Sequence, residues 1–347
     1  MIGGVSLETK EMEGVVWNFA LEVQREILTP FLRKKHRVIV LAGPTSCGKS
    51  HLAIKLAQGI GGEVVSADSM QVYCGMDIGT AKVSREERLL VPHHLVDIRS
   101  IQENFNVVDF CREARRACRE IVDRGGVPIV AGGTGFYLHA LIYGAPEGPP
   151  SVPALRKAFE EECRELGAEC LYDRLMRLDS EYARSLTRHD RQKIIRALEI
   201  IELTHQKVSD LSWSKTPQPQ DYDFRCWFLH RPREVLYKRI EARCDTMLEE
   251  GFLEEVACLE QQGLRNNSSA SQAIGYRQAL DFLTTRREEA DYVAFVKAFK
   301  QATRRYAKRQ FTWFRKEPLF RWLDVDMHDP EVVFDIIRQD YEVSSSM

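Results

Sequence analysis

The chain contains no C-x-x-C pair, and its nine cysteines are scattered singly over 347 residues. That argues against a zinc ribbon and against a secreted disulfide framework, and points to reduced thiols in a cytoplasmic protein. Long apolar runs are missing too. No stretch approaches the roughly 20 residues needed to cross a bilayer, so no membrane partner is expected. The early charges Glu8, Lys10, Glu11 and Glu13 argue against a signal peptide. Net charge is nearly absent: 49 Lys and Arg against 51 Asp and Glu leave −2, so any nucleic-acid surface has to be a local patch. There is no internal repeat and no low-complexity tract. What remains is a composition of 44% hydrophobic and 29% charged residues, ordinary for a globular protein of one large domain or two modest ones.

Several short β-branched runs alternate with helical periodicity. Arg37 to Ala42, Glu63 to Ser66, Val127 to Ala131 and Phe224 to Leu229 read as buried strands, with a third strand expected from His94 to Ile98. Leu52, Leu56 and Ala57 mark one helix, and Phe110, Ala114, Ala117 and Ile121 another, ending at Gly125-Gly126. This alternation predicts an α/β fold: a P-loop NTPase-like parallel sheet flanked by helices. After Gly144-Ala-Pro-Glu-Gly-Pro-Pro150 the pattern turns charged and helical, without strand signal, which reads as an inserted all-helical subdomain. The expected organisation is an N-terminal extension (1–35, with an amphipathic helix carrying Val16, Phe19, Leu21 and Ile27), a catalytic core (36–146 and 221–330, mostly helical from Arg233 onward), and a helical insertion (147–220).

Gly43-Pro-Thr-Ser-Cys-Gly48-Lys49-Ser50 fits G-x-x-x-x-G-K-[ST] and sits between a predicted strand and a predicted helix, as that motif requires. Glycines let backbone N–H groups turn inward around phosphate oxygens, and the helix N-terminus adds partial positive charge. Lys49 supplies a mobile full charge, and Ser50 a hydroxyl able to bind Mg²⁺. The motif specifies a phosphate ligand without specifying ATP. Ser66-Ala-Asp-Ser-Met-Gln71 follows the second strand. Ligands of open α/β sheets bind at the carboxyl ends of strands, so Asp68 should face the phosphate site. There it could bind a metal, cap a helix or accept a proton. Ala131-Gly-Gly-Thr-Gly135 closes another strand, where many nucleotide hydrolases carry a metal-binding acid; here that place holds Gly132-Gly133. Finally, Arg304 to Lys316 holds six basic residues, four aromatics and no acid. This fits cations on phosphates and rings on bases, and equally a solvated helix face over a buried aromatic stripe.

Taken in order, these blocks resemble the tRNA dimethylallyltransferase (tRNA isopentenyltransferase) family over about residues 37–325. The resemblance includes Asp68-Ser-Met-Gln-Val-Tyr, Gly75-Met-Asp-Ile-Gly-Thr-Ala-Lys82, Pro92-His-His-Leu-Val-Asp-Ile98 and Gly132-Gly-Thr. It continues through Arg191-Gln-Lys-Ile-Ile-Arg-Ala-Leu-Glu199, Arg239-Ile-Glu-Ala-Arg243, Gly275-Tyr-Arg277 and Ala307-Lys-Arg-Gln-Phe-Thr-Trp-Phe314. It implies transfer of a dimethylallyl group from dimethylallyl diphosphate to N6 of adenine 37, beside a tRNA anticodon, with Mg²⁺ and without ATP hydrolysis. By motif match Asp68 is the expected general base and Thr134 its catalytic neighbour. Gly43, Thr45, Ser46, Cys47, Gly48, Lys49, Ser50 and Arg243 are the expected diphosphate grip, with Ser50 also toward the metal. Ser69, Met70, Gln71, Arg156, Gln192, Lys193, Arg196, Gln272, Gly275, Tyr276, Arg277, Lys308 and Arg309 are the expected tRNA contacts.

Catalysis of this kind needs charge neutralisation at the leaving group more than a strong base, and the adenine has to leave its stack to react. Two features depart from the family's usual pattern. Cys47 stands where other small residues are usual, and Lys193 replaces an arginine, losing the planar fork. The adjacent His93 and His94 read as packing, because neighbours rarely share one metal. The chain lacks the zinc-finger extension of some eukaryotic members, so a short, bacterial-type, monomeric enzyme is expected. A P-loop small-molecule kinase using Asp68, and a non-catalytic RNA-binding protein, are the alternatives.

Overall fold

The computed structural model describes residues 35–146, 148–211 and 222–343. The amphipathic helix expected in the N-terminal extension lies outside them. The chain begins with β1 (His36–Ala42), whose Val38 to Ala42 are completely buried. A strand buried on both faces is what a continuous β-branched run produces in a parallel sheet. Then come α1 (Lys49–Ile60), β2 (Gly62–Ser66), α2 (Arg85–Leu90), β3 (His93–His94), α3 (Val107–Asp123), β4 (Val127–Gly132) and α4 (Gly135–Tyr143). The helical lobe comprises α5 (Pro153–Leu166), α6 (Ala168–Leu178), α7 (Ser180–Arg184) and α8 (Arg191–Thr204). The chain then returns through β5 (Tyr222–His230) to α9 (Arg233–Glu249), α10 (Phe252–Gln261), α11 (Tyr276–Leu283), α12 (Glu289–Phe314), β6 (Arg321–Asp324) and α13 (Pro330–Glu342).

The six strands form one parallel sheet in the order β3-β2-β4-β1-β5-β6, with helices packed against it. Register decides where the loops emerge. Ala42 pairs with Gly132 and Ser66 with Ala131, so β1, β2 and β4 end side by side at one edge. The backbones touch there. A Cβ on Gly132 would lie 2.3 Å from the Ala67 carbonyl oxygen, and one on Gly43 2.4 Å from that of Leu229. The glycines that looked like turn residues are thus also spacers that let three loops converge.

Three details differ from expectation. The strand expected from His94 to Ile98 stops after His94, because Leu95 (φ 61°) and Asp97 (φ 55°) take left-handed conformations that break a ladder. The His93 ring is hydrogen-bonded to the Val91 carbonyl (2.8 Å) and the His94 ring to Glu63 (2.7 Å). β6 was not anticipated within the helical C-terminal stretch: it is a four-residue edge strand with only Leu323 buried, too short for a period to show. The core also continues beyond residue 330, where Phe334 of α13 closes on Gly59 and Ile337 is fully buried.

The lobe has its own apolar core, built from Phe159, Leu171, Leu175, Ile194, Ile195 and Leu198 among others. Its first linker is tied down by a buried carboxylate. Glu199 accepts from Ser151 Oγ (2.6 Å), the Val152 N–H (2.7 Å) and Arg196 (2.8 Å), and Arg196 also donates to the Pro149 carbonyl (2.5 Å). Burial alone would raise the Glu199 carboxyl, but these donors outweigh it and hold it below its ordinary value of 4.5. A carboxyl depressed in the fold contributes stability above its unfolded pKa and loses it as pH falls through the folded one. Glu199→Gln is therefore expected to cost about 2 kcal/mol at pH 7. The difference from the parent chain should shrink below pH 4.5. Urea melts at a series of pH values check this.

Candidate active site

At the converging strand ends, the Gly43–Ser50 loop wraps into the start of α1. Gly48 (φ 105°) and Ser46 (φ 64°) adopt left-handed conformations, and α1 has no capping side chain and no acid in its first turn. Its first N–H groups therefore lack intrahelical partners and carry the positive end of the helix dipole. Lys49 Nζ folds back onto the Pro44 carbonyl (2.7 Å), and the Ser46 hydroxyl is buried without a partner. Both are groups that an entering anion can satisfy. Cys47 is packed inside the loop, 1% exposed. Ser50 is exposed at the first turn of α1.

Arginines from the returning segment hold this loop from outside. Arg231 and Arg239 donate to the Cys47 and Ser46 carbonyls (3.0 Å each), and Arg243 to Thr45 Oγ1 (3.2 Å). Burial pushes the Arg243 guanidinium below its ordinary value, while the charge of Asp68 works against that shift. Arg231 carries no strand, turn or motif signature of its own. Gln310 belongs to the basic-aromatic helix α12, yet it is 4% exposed. Its amide accepts from the Thr45 N–H (3.1 Å) and donates to the Gly133 carbonyl (2.9 Å), joining the two glycine loops.

Asp68 follows β2 and faces the same cleft. Its carboxylate accepts from the Met70 N–H (2.8 Å), a local turn that fixes its direction. Thr134 accepts from the Ser69 N–H (3.2 Å). The Tyr306 phenol hydrogen-bonds Thr134, and burial together with the Asp68 charge raises its pKa. The Gln71 amide spans Ser66 (3.1 Å) and the Thr80 carbonyl (3.3 Å), and Arg243 reaches that same carbonyl at 3.5 Å. The loop carrying Thr80 is pinned by one carboxylate: Glu255 accepts from the N–H groups of Asp77, Ile78 and Gly79 and from the Tyr276 hydroxyl (2.5 Å).

These groups open into a pocket of about 170 Å³. Thr45, Ser46, Asp68 and Arg243 line it together with the apolar Ile240, Cys244, Met247, Ala273, Ile274 and Phe299. No composition or spacing signal marked the apolar lining, because its members are ordinary apolar residues of three different segments.

The remaining expected contacts distribute unevenly. Gln272, Arg277, Lys308 and Arg309 are exposed, as are Gln192 and Lys193 on the lobe. Arg156 pairs with Glu160 (3.2 Å) and Lys193 with Asp190 (3.2 Å). Arg196 is committed to Glu199 and the linker. Gly275 and Tyr276 are buried; the Tyr276 ring walls the pocket instead of facing outward. Among the described residues no cluster of three or more His, Cys, Asp or Glu could hold a metal, and no helix is long and apolar enough to cross a membrane.

A glycine-rich loop at the edge of this sheet, with arginines and a carboxylate around one pocket, places the chain in the class of P-loop NTPase-like α/β proteins. Comparison with known proteins narrows the class. The family model described as IPP transferase matches residues 71–317, and the chain belongs to that family. It is 66% identical to the tRNA dimethylallyltransferase of Protochlamydia amoebophila, over 99% of this chain and all of that one. It is 46% identical to that of Chlamydia caviae, over 88% of this chain and 90% of the relative. Among solved structures it is similar to the tRNA isopentenylpyrophosphate transferase of Bacillus halodurans: TM-score 0.64, 36% identity, 89% of this chain and 97% of that chain. It is also similar to a eukaryotic dimethylallyltransferase described as acting on tRNA: TM-score 0.67, 31% identity, 83% and 74% coverage.

Gln310→Ala would leave the Thr45 N–H and the Gly133 carbonyl without partners. It is expected to cost about 2 kcal/mol of stability. It should also weaken diphosphate binding, whereas substituting the neighbouring exposed Lys308 should leave stability unchanged. Chemical denaturation and calorimetric titration with inorganic diphosphate check both.

Proposed function

We propose that this chain transfers a dimethylallyl group from dimethylallyl diphosphate to N6 of adenine 37 in tRNA, releasing diphosphate. The observation that carries the reading is a pocket lined by Thr45 and Ser46 of the Gly43–Ser50 loop, Arg243 and Asp68 together with apolar residues of α9 and α12. An allylic diphosphate, anionic at one end and hydrocarbon at the other, matches a lining of both kinds.

In the proposed reaction the bond between the allylic carbon and the diphosphate oxygen breaks, and its electron pair leaves with diphosphate. A bond forms from N6 to that carbon, and the N6 proton passes to the Asp68 carboxylate. Amide groups of the loop, Lys49 and Arg243 neutralise the charge that builds on the leaving group. Thr134 and Tyr306 stand next to Asp68, where they orient it and the incoming amine. The adenine reaches them by leaving its stack, at a cost of a few kcal/mol that phosphate contacts elsewhere offset. Exposed Lys308 and Arg309 on α12, and Gln192 and Lys193 on the lobe, are available for those contacts.

Mg²⁺ fits this site in one particular way. Mg²⁺ keeps several waters and binds mostly through substrate phosphates, so the absence of a carboxylate cluster among the described residues is compatible with it. Ser50, exposed at the first turn of α1, would hold it together with diphosphate oxygens, and the ion would supply charge neutralisation at the leaving group.

The test is to incubate the protein with Mg²⁺, dimethylallyl diphosphate and an unmodified anticodon stem-loop, and to weigh the RNA. A gain of one C5H8 unit is expected. An unchanged mass, with ATP-dependent phosphorylation of a small metabolite instead, would make the chain a kinase. In the same assay Asp68→Asn should lower kcat by about 100-fold or more while stem-loop binding persists; turnover near the parent rate removes Asp68 as the base. Neutralising Lys308 and Arg309 together should weaken stem-loop binding and flatten the plot of log K against log salt by about 1 to 2 units. An unchanged slope would assign that face to structure alone.

A further inference from the structure

Two arginines hold the outside of the phosphate loop by its carbonyls. Arg231 Nε donates to the Cys47 carbonyl and Arg239 Nε to the Ser46 carbonyl, at 3.0 Å each. These carbonyls belong to consecutive peptide units. A trans peptide is planar, so its N–H points opposite to its C=O. The Ser46 carbonyl shares its unit with the Cys47 N–H, and the Cys47 carbonyl shares its unit with the Gly48 N–H. Each guanidinium therefore turns one N–H toward the far side of the loop. Among the described residues neither N–H has a protein acceptor. Loop N–H groups at these positions of the motif are the ones that cradle phosphate.

The hold is anchored at its other end. Arg231 pairs through Nη1 with Asp326, in the segment after β6. The Asp326 N–H donates to Asp324 (3.0 Å), and the Val325 N–H to the carbonyl of His230, next to Arg231 (3.0 Å). A Cβ on Gly48 would lie 3.7 Å from Arg231 Nη2, so this guanidinium rests against the very peptide it orients. Burial, and then the charge of Arg239, push Arg231 below its ordinary value, while Asp324 works against that shift. Two guanidiniums that repel stay side by side because each has a carbonyl to hold. A charged donor on a carbonyl also polarises the whole unit and strengthens its N–H as a donor. Without these bonds a rotated peptide would present its carbonyl, the wrong end, to an anion.

We propose that Arg231 and Arg239 are positioning residues of the diphosphate cradle, which aim the Gly48 and Cys47 N–H groups at the anion from behind without touching it. This rests on the reading of the Gly43–Ser50 loop as the grip on a diphosphate. Arg243 differs from both, since it bonds the Thr45 hydroxyl and lines the pocket itself. One arginine thus supplies charge on the ligand's side of the loop, and two supply direction from the other side. Donors already aimed at a leaving group need no reorganisation as its charge builds.

Side-chain length supplies the test. The amide nitrogen of glutamine stands as many bonds from Cα as arginine Nε, and the terminal methyl of methionine stands there too. Both substitutions remove the charge, but only glutamine keeps a donor. The full chain and its Arg231→Met, Arg231→Gln, Arg239→Met and Arg239→Gln variants are titrated calorimetrically with inorganic diphosphate and Mg²⁺. The Cys47 and Gly48 amides are followed by nuclear magnetic resonance. Each methionine variant should weaken diphosphate binding about tenfold, and each glutamine variant about threefold or less. Arg231→Met should shift chiefly the Gly48 amide and Arg239→Met chiefly that of Cys47, with KM for the stem-loop at the parent value. Methionine and glutamine variants that lose affinity equally would mean that the cations act by charge alone, and overturn the proposal. So would folded methionine variants that bind diphosphate as the parent does, or that disturb both amides alike. A parent chain that binds no diphosphate would instead overturn the reading of the loop as its grip.

Discussion

One buried amide holds the catalytic edge together. Gln310 takes the Thr45 N–H with its oxygen and gives its N–H to the Gly133 carbonyl, so a C-terminal helix fixes the spacing of two loops that the sheet alone brings only into proximity. A carboxylate could accept but not donate, and a hydroxyl could not span both loops. The surrounding glycines follow from this. A Cβ on Gly133 would lie 2.2 Å from Gln310 Nε2, and one on Gly135 2.3 Å from Trp313 Cδ1. The glycine-rich strand end is a seat for α12 as much as a turn.

That seat explains why the basic-aromatic segment has two characters. One face of α12 is core: Phe299, Ala307, Gln310 and Phe314 are buried. Another carries exposed Lys308 and Arg309, the latter with its guanidinium 5.6 Å from the Tyr306 ring. The segment is thus an aromatic stripe in the core on one side and a solvated basic face on the other. Likewise Arg243 sits half-buried between charges. Its desolvation outweighs the opposing charge of Asp68, and its hydrogen bond to the Thr45 hydroxyl is to a neutral group.

The sheet was legible because its strands are short β-branched runs punctuated by glycine, and the phosphate loop because glycine, lysine and serine must stand at fixed offsets. The helical lobe was legible from the loss of strand signal after Pro150. β6 and the true end of β3 were not, since two to four residues carry no period and left-handed Leu95 and Asp97 have no compositional mark. The polar half of the site could be read as motifs; the apolar half could not. Ile240, Cys244, Met247 and Phe299 look like any core positions until α9 and α12 are seen side by side. Arg196, expected at the RNA by the family resemblance, also ties the linker through Glu199 and the Pro149 carbonyl, a role that no sequence pattern marked.

The Thr80 carbonyl accepts both from Arg243, beside the Gly43–Ser50 loop, and from the Gln71 amide, which follows Asp68 in the chain. One oxygen thus belongs to the surroundings of both proposed substrates, on a loop clamped by Glu255. Thermodynamic linkage makes the result symmetrical: whatever filling one side does to the affinity of the other, the other does in return by the same factor. A shared main-chain atom of this kind needs no moving domain to pass a displacement at Arg243 on to Gln71.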